Sequence, residues 1–229
     1  MNFEEFNLSK ETMKSVSELG FEEPTPIQVS TIPLIMDGRD IVGQAQTGTG
    51  KTAAFGIPIV EKCRKGRKPF AIILEPTREL AVQVSQELHK IGKFKKIEVL
   101  PVYGGASIER QIKSLERGVN VVVGTPGRVI DHLNRKTLSL SDVKIVVLDE
   151  ADEMLDMGFL EDMETIIRAT PAERQTLLFS ATMPKPIINI AGRYMKNPEK
   201  IRVNAKDIVI PKIKQIFYEV REGDKVNAL

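Results

Sequence analysis

The chain has no tryptophan, three tyrosines, two histidines and a single cysteine in 229 residues. With Cys63 as the only thiol, no internal disulfide and no thiolate metal cluster can form, which suits a reducing compartment. No apolar run approaches the ~20 residues needed to cross a bilayer. The first residues, Met1-Asn2-Phe3-Glu4-Glu5, are acidic where a signal peptide would be basic. A cytoplasmic chain that does not enter a membrane is expected. Net charge is scarce as well: +2 at pH 7 leaves any nucleic-acid partner to a local patch rather than to the field of the whole molecule. The densest basic cluster, Lys62, Arg64, Lys65, Arg67 and Lys68, is broken by Gly66 and Pro69 and reads as a solvated connector. The rest is ordinary globular composition, 41% hydrophobic and 28% charged, at a length that favours one or two domains.

What the sequence does have is a regular alternation. Apolar runs suited to buried strands occur at Ile41 to Gly43, Phe70 to Leu74, Val119 to Val123, Ile145 to Leu148 and Thr176 to Phe179, with Ile97 to Val102 less pure. Between them lie helically spaced residues such as Leu80, Val84, Leu88 and Ile91, or Ile108, Ile112 and Leu115. This pattern predicts an α/β fold, a mostly parallel sheet with helices on both faces. Ligands in such sheets gather at the carboxyl ends of the strands, and here each strand is followed at once by a short polar motif. Residues of about 8–37 read as two helices split by Gly20 to Pro26, with Ser9 and Thr25 as caps and Pro26 in a first turn. From roughly Asp207 the chain changes character, and Ile213 to Val220 reads as one further strand.

Two motifs carry phosphate chemistry. Ala45-Gln46-Thr47-Gly48-Thr49-Gly50-Lys51-Thr52 follows a strand and opens a helix, so its backbone N–H groups and the helix N-terminus converge where polyphosphate can be held. Lys51 is expected on the β/γ-phosphates and Thr52 on Mg²⁺, although Ala45 stands where the strict motif has glycine. A Gly/Thr-rich surface turn is the plainer alternative. Asp149-Glu150-Ala151-Asp152 ends the apolar Ile145 to Leu148 run: Asp149 can hold Mg²⁺ directly or through water, and Glu150 can orient and deprotonate an attacking water. Its alternative is an acidic first helical turn favoured by the dipole.

Seven segments complete a resemblance. Gly20-Phe21-Glu22-Glu23-Pro24-Thr25-Pro26-Ile27-Gln28, Ala45 to Thr52, Pro76-Thr77-Arg78-Glu79-Leu80, Gly104-Gly105, Thr125-Pro126-Gly127-Arg128, Asp149 to Asp152 and Ser180-Ala181-Thr182 stand in the order that marks DEAD-box ATP-dependent RNA helicases. Ala45 is usual in that family. The resemblance implies a RecA-like, P-loop NTPase sheet and ATP with Mg²⁺. Gln28 would read the adenine edge, Phe21 would lie against the ring, and Phe3 would be the upstream aromatic. A Gln amide offers the donor and acceptor that suit adenine N6/N7; without the family, Phe21 would read as core and Gln28 as a solvated helix residue. The phosphate-loop contacts would be Gln46, Thr47, Gly48, Thr49, Gly50, Lys51 and Thr52.

The same resemblance puts Pro76, Thr77, Arg78, Gly104, Gly105, Thr125, Pro126, Gly127 and Arg128 on RNA, through phosphates and 2′-hydroxyls and without sequence preference. Taken alone, Pro76-Thr77 and Thr125 to Gly127 would be helix-start turns. Asp152, Ser180 and Thr182 would couple the acidic motif to the RNA-bound state. His89 and His132 read as surface or packing residues away from the motifs. Residues 1–206 are expected to form the N-terminal RecA-like domain, and 207–229 a linker and the start of a second one supplied in cis. A missing arginine finger from that half is worth roughly 4–7 kcal/mol of barrier, so the chain alone is expected to bind adenine nucleotide weakly, as a monomer, and to hydrolyse little. The whole protein is expected to be an RNA-stimulated ATPase that opens short duplexes; the alternative is a nucleotide-switched RNA clamp or scaffold.

Overall fold

The computed structural model describes residues 2–46, 48–64, 66–202, 216, 219, 220 and 223. Thr47 and Lys65 lie outside them, and the strand expected at 213–220 and the boundary at 207 fall largely on residues outside that set.

Seven strands form one sheet: β1 (Ile41–Gln44), β2 (Ala71–Leu74), β3 (Val99–Val102), β4 (Val121–Gly124), β5 (Ile145–Leu148), β6 (Gln175–Ser180) and β7 (Glu199–Arg202), in the order β3-β4-β2-β5-β6-β1-β7. Every pairing is parallel. The helices are α1 (Lys10–Glu18), α2 (Pro26–Met36), α3 (Lys51–Lys62), α4 (Arg78–Ile91), α5 (Ile108–Arg117), α6 (Pro126–Asn134), α7 (Ala151–Asp156), α8 (Leu160–Arg168) and α9 (Lys185–Tyr194). A 3₁₀ turn at Phe3–Phe6 precedes them.

The period of two along each strand sorts its side chains between two cores. Ile73, Val121, Val123, Ile145, Val147, Leu177 and Phe179 face the layer built by α1 to α4, where Val16, Ile32, Phe55 and Leu88 meet them. Ile72, Leu74, Val122, Val146, Leu148 and Leu178 face the layer built by α6 to α9, against Val129, Met154, Met163 and Ile190. Central strands buried on both faces need unbroken apolar sequence, which is why β5 is Ile-Val-Val-Leu without a polar residue.

β7 was not foreseen from the sequence. It reads Glu-Lys-Ile-Arg, pairs with β1 at the sheet edge and is only partly buried, so it lacks the apolar run that marks its neighbours. The basic connector is solvated at Arg67 and Lys68, but Lys62 is not: its ammonium donates to the Ile35 and Met36 carbonyls at 3.0 and 3.4 Å, capping the end of α2. Among the described residues, no helix is long and apolar enough to cross a membrane.

Gly43 pairs with Phe179 across β1 and β6, and a Cβ at Gly43 would stand 2.6 Å from the Phe179 ring, which is itself held against Phe55. Gly43→Ala should therefore cost about 1–3 kcal/mol by overpacking, read as a fall in Tm of roughly 2–4 °C per kcal/mol. An unchanged Tm would mean that the ring moves freely.

Candidate functional site

All the polar motifs except Gly20 to Gln28, which joins α1 to α2, leave the carboxyl ends of parallel strands, so they share one rim. The strand order divides that rim. β5, β6 and β1 are neighbours and deliver Asp149 to Asp152, Ser180 to Thr182 and the 45–52 loop, whereas β3, β4 and β2 deliver Gly104-Gly105, Thr125 to Arg128 and Pro76 to Arg78. A hollow of about 460 Å³ lined by Gln46, Pro76, Thr77, Glu150 and Ala181 joins the two halves. Larger hollows of about 700 and 780 Å³ lie at the opposite rim and beside β7, the second reaching Gln44 and Met183 at the edges of two motifs but lined by none of the motif residues. Chemistry, not size, marks the site.

In the first half, Gly50 caps α3 at φ 89°. Glycine is required there twice over, because a Cβ would also meet the Gln28 amide nitrogen at 2.6 Å. Lys51, 5% exposed, opens the helix and donates to Glu150 Oε1 at 2.7 Å, with Asp149 Oδ1 at 3.6 Å. The lysine-bearing loop and the acidic pair thus face a common pocket. Burial pulls the Lys51 ammonium down, but the Asp149 and Glu150 carboxylates outweigh it and leave its pKa raised. Burial pushes Asp149 up, to about 6, with Lys51 opposing and Glu150 adding to the rise. Glu150 sits in the left-handed region at φ 49° and ψ 48°, where a side chain costs about 1–2 kcal/mol. That backbone turns Glu150 toward Lys51 before α7 begins. Thr52 follows Lys51 in the first turn of α3 and is half-buried. Asp149 and Thr52 offer hard oxygen donors, few enough to fit Mg²⁺ whose shell is completed by phosphates and water.

Asp152, Ser180 and Thr182 are brought together. Thr182 donates to Asp152 Oδ2 from both its backbone N–H and its hydroxyl at 2.8 Å, and the Asp152 N–H donates to Ser180 Oγ at 3.1 Å. Burial raises the Asp152 carboxyl, but the Ser180 and Thr182 hydrogen bonds prevail and hold it below its usual range. α7 is thereby tied to the end of β6.

Gln28 is buried rather than solvated. Its Oε1 accepts from the Thr25 N–H at 3.0 Å and its Nε2 donates to the Gly50 carbonyl at 3.1 Å, so α2 is fastened to the phosphate loop. Phe21 is half-buried and stacks on Phe3 at 6.1 Å between centroids. Phe3 is 3% exposed and packs edge-on to Phe6, which makes it a brace beneath Phe21.

In the second half, Thr77 and Thr125 are both helix N-caps, as their turns suggested. Thr77 Oγ1 accepts from the Leu80 N–H at 3.2 Å, while the Thr125 side chain makes no capping bond. Pro76 and Pro126 are buried beside them, and Arg78, Gly104, Gly105 and Gly127 are exposed. The Arg78 guanidinium lies over the Tyr103 ring at 5.5 Å. Arg128 Nη1 donates to the Ala106 carbonyl at 3.2 Å and to Gln111 Oε1 at 3.3 Å. The two arginines therefore flank the Gly104-Gly105 turn.

The sequence reading missed three residues. Tyr103 had no motif to mark it. His89 is exposed as expected, but His132 is fully buried and hydrogen-bonded to Gln111 at 2.8 Å, so it is joined to Arg128 rather than remote from the motifs. Glu75 is the residue after β2, as Asp149 is after β5, one step past the Leu74–Leu148 pair; it is fully buried, and neither carboxyl oxygen has a hydrogen-bond partner among the described residues. Burial, then Asp149 and Glu150, push its pKa well above the usual carboxylate value despite Lys51.

That shift has a stability consequence. A carboxyl whose folded pKa is raised penalises the folded state once pH exceeds the unfolded value near 4.5, and the penalty grows until the folded group ionises. The Tm difference between Glu75→Gln and the parent should thus move in favour of the variant from pH 4 to pH 8, by roughly 2–4 °C per kcal/mol. A difference independent of pH would show that Glu75 titrates normally.

Comparison with known proteins places this rim. The DEAD/DEAH box helicase model matches residues 25–190. The chain is 59% identical over 228 residues to the DEAD-box ATP-dependent RNA helicase CshA of Geobacillus kaustophilus, covering 99% of this chain and 49% of that protein. It is 55% identical over 230 residues to CshA of Bacillus subtilis, covering 100% of this chain and 47% of that one. The chain therefore spans about half the length of these relatives. Among solved structures, a DEAD box protein from the hyperthermophile Methanococcus jannaschii superposes with a TM-score of 0.87 at 46% identity, over 100% of this chain and 62% of that one. Its all-parallel sheet with helices on both faces is the RecA-like arrangement of those helicases. With a matched segment running from the caps of α2 into α9 and enclosing both halves of the rim, the chain belongs to the DEAD/DEAH box helicase family.

Proposed function

We propose that this chain is the ATP-binding half of an ATP-dependent RNA helicase, an RNA-stimulated ATPase that grips RNA by its backbone and opens short duplexes. The observation that carries the reading is the buried contact of Lys51 with Glu150 and Asp149, on the same rim as the arginine-flanked Gly104-Gly105 turn. Lys51 exchanges the carboxylates for β/γ-phosphates, and the N–H groups of the α3 first turn take the remaining phosphate oxygens. Glu150, once released, is the base for the attacking water. Thr52 and Asp149 hold Mg²⁺, which supplies charge neutralisation on the phosphates. Gln28 reads adenine by giving up its bond to the Gly50 carbonyl, with Phe21, braced by Phe3, beside the ring. Gln46, Thr47, Gly48 and Thr49 complete the loop around the phosphates.

Thr77, Arg78, Gly105, Gly127 and Arg128 take RNA phosphates and 2′-hydroxyls, with Pro76, Gly104, Thr125 and Pro126 shaping the turns that present them. Asp152, Ser180 and Thr182 carry the coupling between the two halves of the rim. A second RecA-like domain, joined through residues 207–229, supplies the arginine finger and the other side of the RNA. The protein works in the cytoplasm as a monomer.

Three measurements test this. Calorimetric titration of the chain should give tighter binding of ADP than of GDP, and Gln28→Ala should narrow the difference; equal affinities in the parent would reject Gln28 as the adenine reader. In the protein that includes both halves, Glu150→Gln should bind ADP within about threefold of the parent and lose roughly 10²–10⁴ in RNA-stimulated turnover. Strand separation of a short RNA duplex should require ATP. Binding to RNA without any separation would leave the clamp as the function.

A further inference from the structure

Arg128 stands in a frame built by residues behind it. α6 carries Arg128 and His132 four residues apart, on one face turned toward Gln111 of α5. Gln111 Nε2 donates to the Tyr103 carbonyl at 3.1 Å, so Gln111 Oε1 is the acceptor for both Arg128 Nη1 at 3.3 Å and His132 Nε2 at 2.8 Å. The reversed amide would turn its NH₂ against a guanidinium and leave the Tyr103 carbonyl facing an oxygen, which fixes the assignment. His132 must then carry its proton on Nε2. Its Nδ1 is 2.8 Å from the Thr137 hydroxyl, which anchors the far side of the ring.

The frame is dry: Gln111 is 5% exposed and His132 is fully buried. Arg128, with 16% of its side chain exposed, uses Nη1 for the Gln111 and Ala106 oxygens and has Nε 3.8 Å from the Asp131 carboxylate. Nη2 makes no hydrogen bond among the described residues. One arm of the guanidinium fork is therefore spent on holding the group in place and the other is left for a ligand. An unconstrained arginine loses rotamer freedom on binding a phosphate, whereas one already locked loses less.

We propose that His132, acting through Gln111, is a positioning residue that aims the Arg128 guanidinium at an RNA phosphate. This rests on the reading of Arg128 as an RNA contact. Without the imidazole N–H, Gln111 Oε1 keeps an unsatisfied lone pair in a water-free place, and the amide rotates to find another donor. Arg128 then loses one of its two Nη1 anchors. Because the frame touches neither Lys51 nor the acidic pair, nucleotide binding is untouched.

The test uses the protein containing both helicase halves. RNA affinity is read by fluorescence anisotropy of a labelled single strand with a non-hydrolysable ATP analogue, and ADP affinity by calorimetry. His132→Leu, which keeps bulk at the site, and Gln111→Leu should each weaken RNA binding about three- to tenfold, the order of one hydrogen bond, and leave ADP affinity unchanged. His132→Gln can place an amide N–H near the position of Nε2 and should recover most of the loss. In an Arg128→Ala background, His132→Leu should add nothing. RNA binding by His132→Leu at the parental affinity would overturn the proposal, and so would the same factor lost again in the Arg128→Ala background, since the effect would then come from general destabilisation. If Arg128→Ala itself binds RNA like the parent, the RNA reading of this rim fails and the inference goes with it; a loss in Arg128→Ala with none in His132→Leu sinks the inference alone.

Discussion

A single buried ammonium holds the nucleotide half of the rim together. Lys51 stands among three carboxyl groups, Asp149, Glu150 and Glu75, in a place largely closed to water. Three carboxylates there with no cation would repel one another and each would bear the full desolvation cost. The structure meets this in two ways: Lys51 neutralises part of the charge, and the Glu75 carboxyl is shifted toward its neutral form. Glu150 holds the lysine from a left-handed backbone conformation, a costly one for a side-chain-bearing residue. The site is therefore set by charge balance as much as by shape.

The sheet gives this balance a direction. Because all pairings are parallel, β1 to β6 deliver their motifs to the same rim, and the order β3-β4-β2-β5-β6-β1-β7 sorts those motifs into two groups. β2 and β5 are the seam. Glu75 directly follows one and Asp149 the other, and the next residues on the β2 side are Pro76 and Thr77. Thus a carboxyl group whose pKa is raised in part by Asp149 and Glu150 is covalently next to the turn that opens α4 on the other side of the seam. Asp152, Ser180 and Thr182 make a second tie, from α7 to the end of β6, which lies within the β5-β6-β1 half and is partly buried, with Thr182 exposed.

How much of this could be read in advance depended on where the physical signal lay. β5 was legible to the residue because a strand buried on both faces must be apolar throughout, and its polar neighbours end it abruptly. The phosphate loop and acidic pair were legible because their chemistry needs particular residues in consecutive positions. β7 was not, since an edge strand with one wet face tolerates Glu, Lys and Arg. Glu75 belonged to no motif; its setting comes from a neighbour 74 positions away in sequence, placed beside it by strand register. His132 was misplaced for the same reason, because Gln111 on another helix joins it to Arg128.

Several groups expected to meet ligand are already partnered within the chain. Lys51 holds Glu150, Gln28 holds the Gly50 carbonyl and the Thr25 amide, and Thr77 caps its own helix. On the proposed function, nucleotide binding would then be an exchange of partners rather than an addition of contacts. Each phosphate oxygen gained by Lys51 would be offset by a carboxylate left behind, because the ammonium already has Glu150 at 2.7 Å. The same exchange would release Glu150 from Lys51 as phosphate took its place.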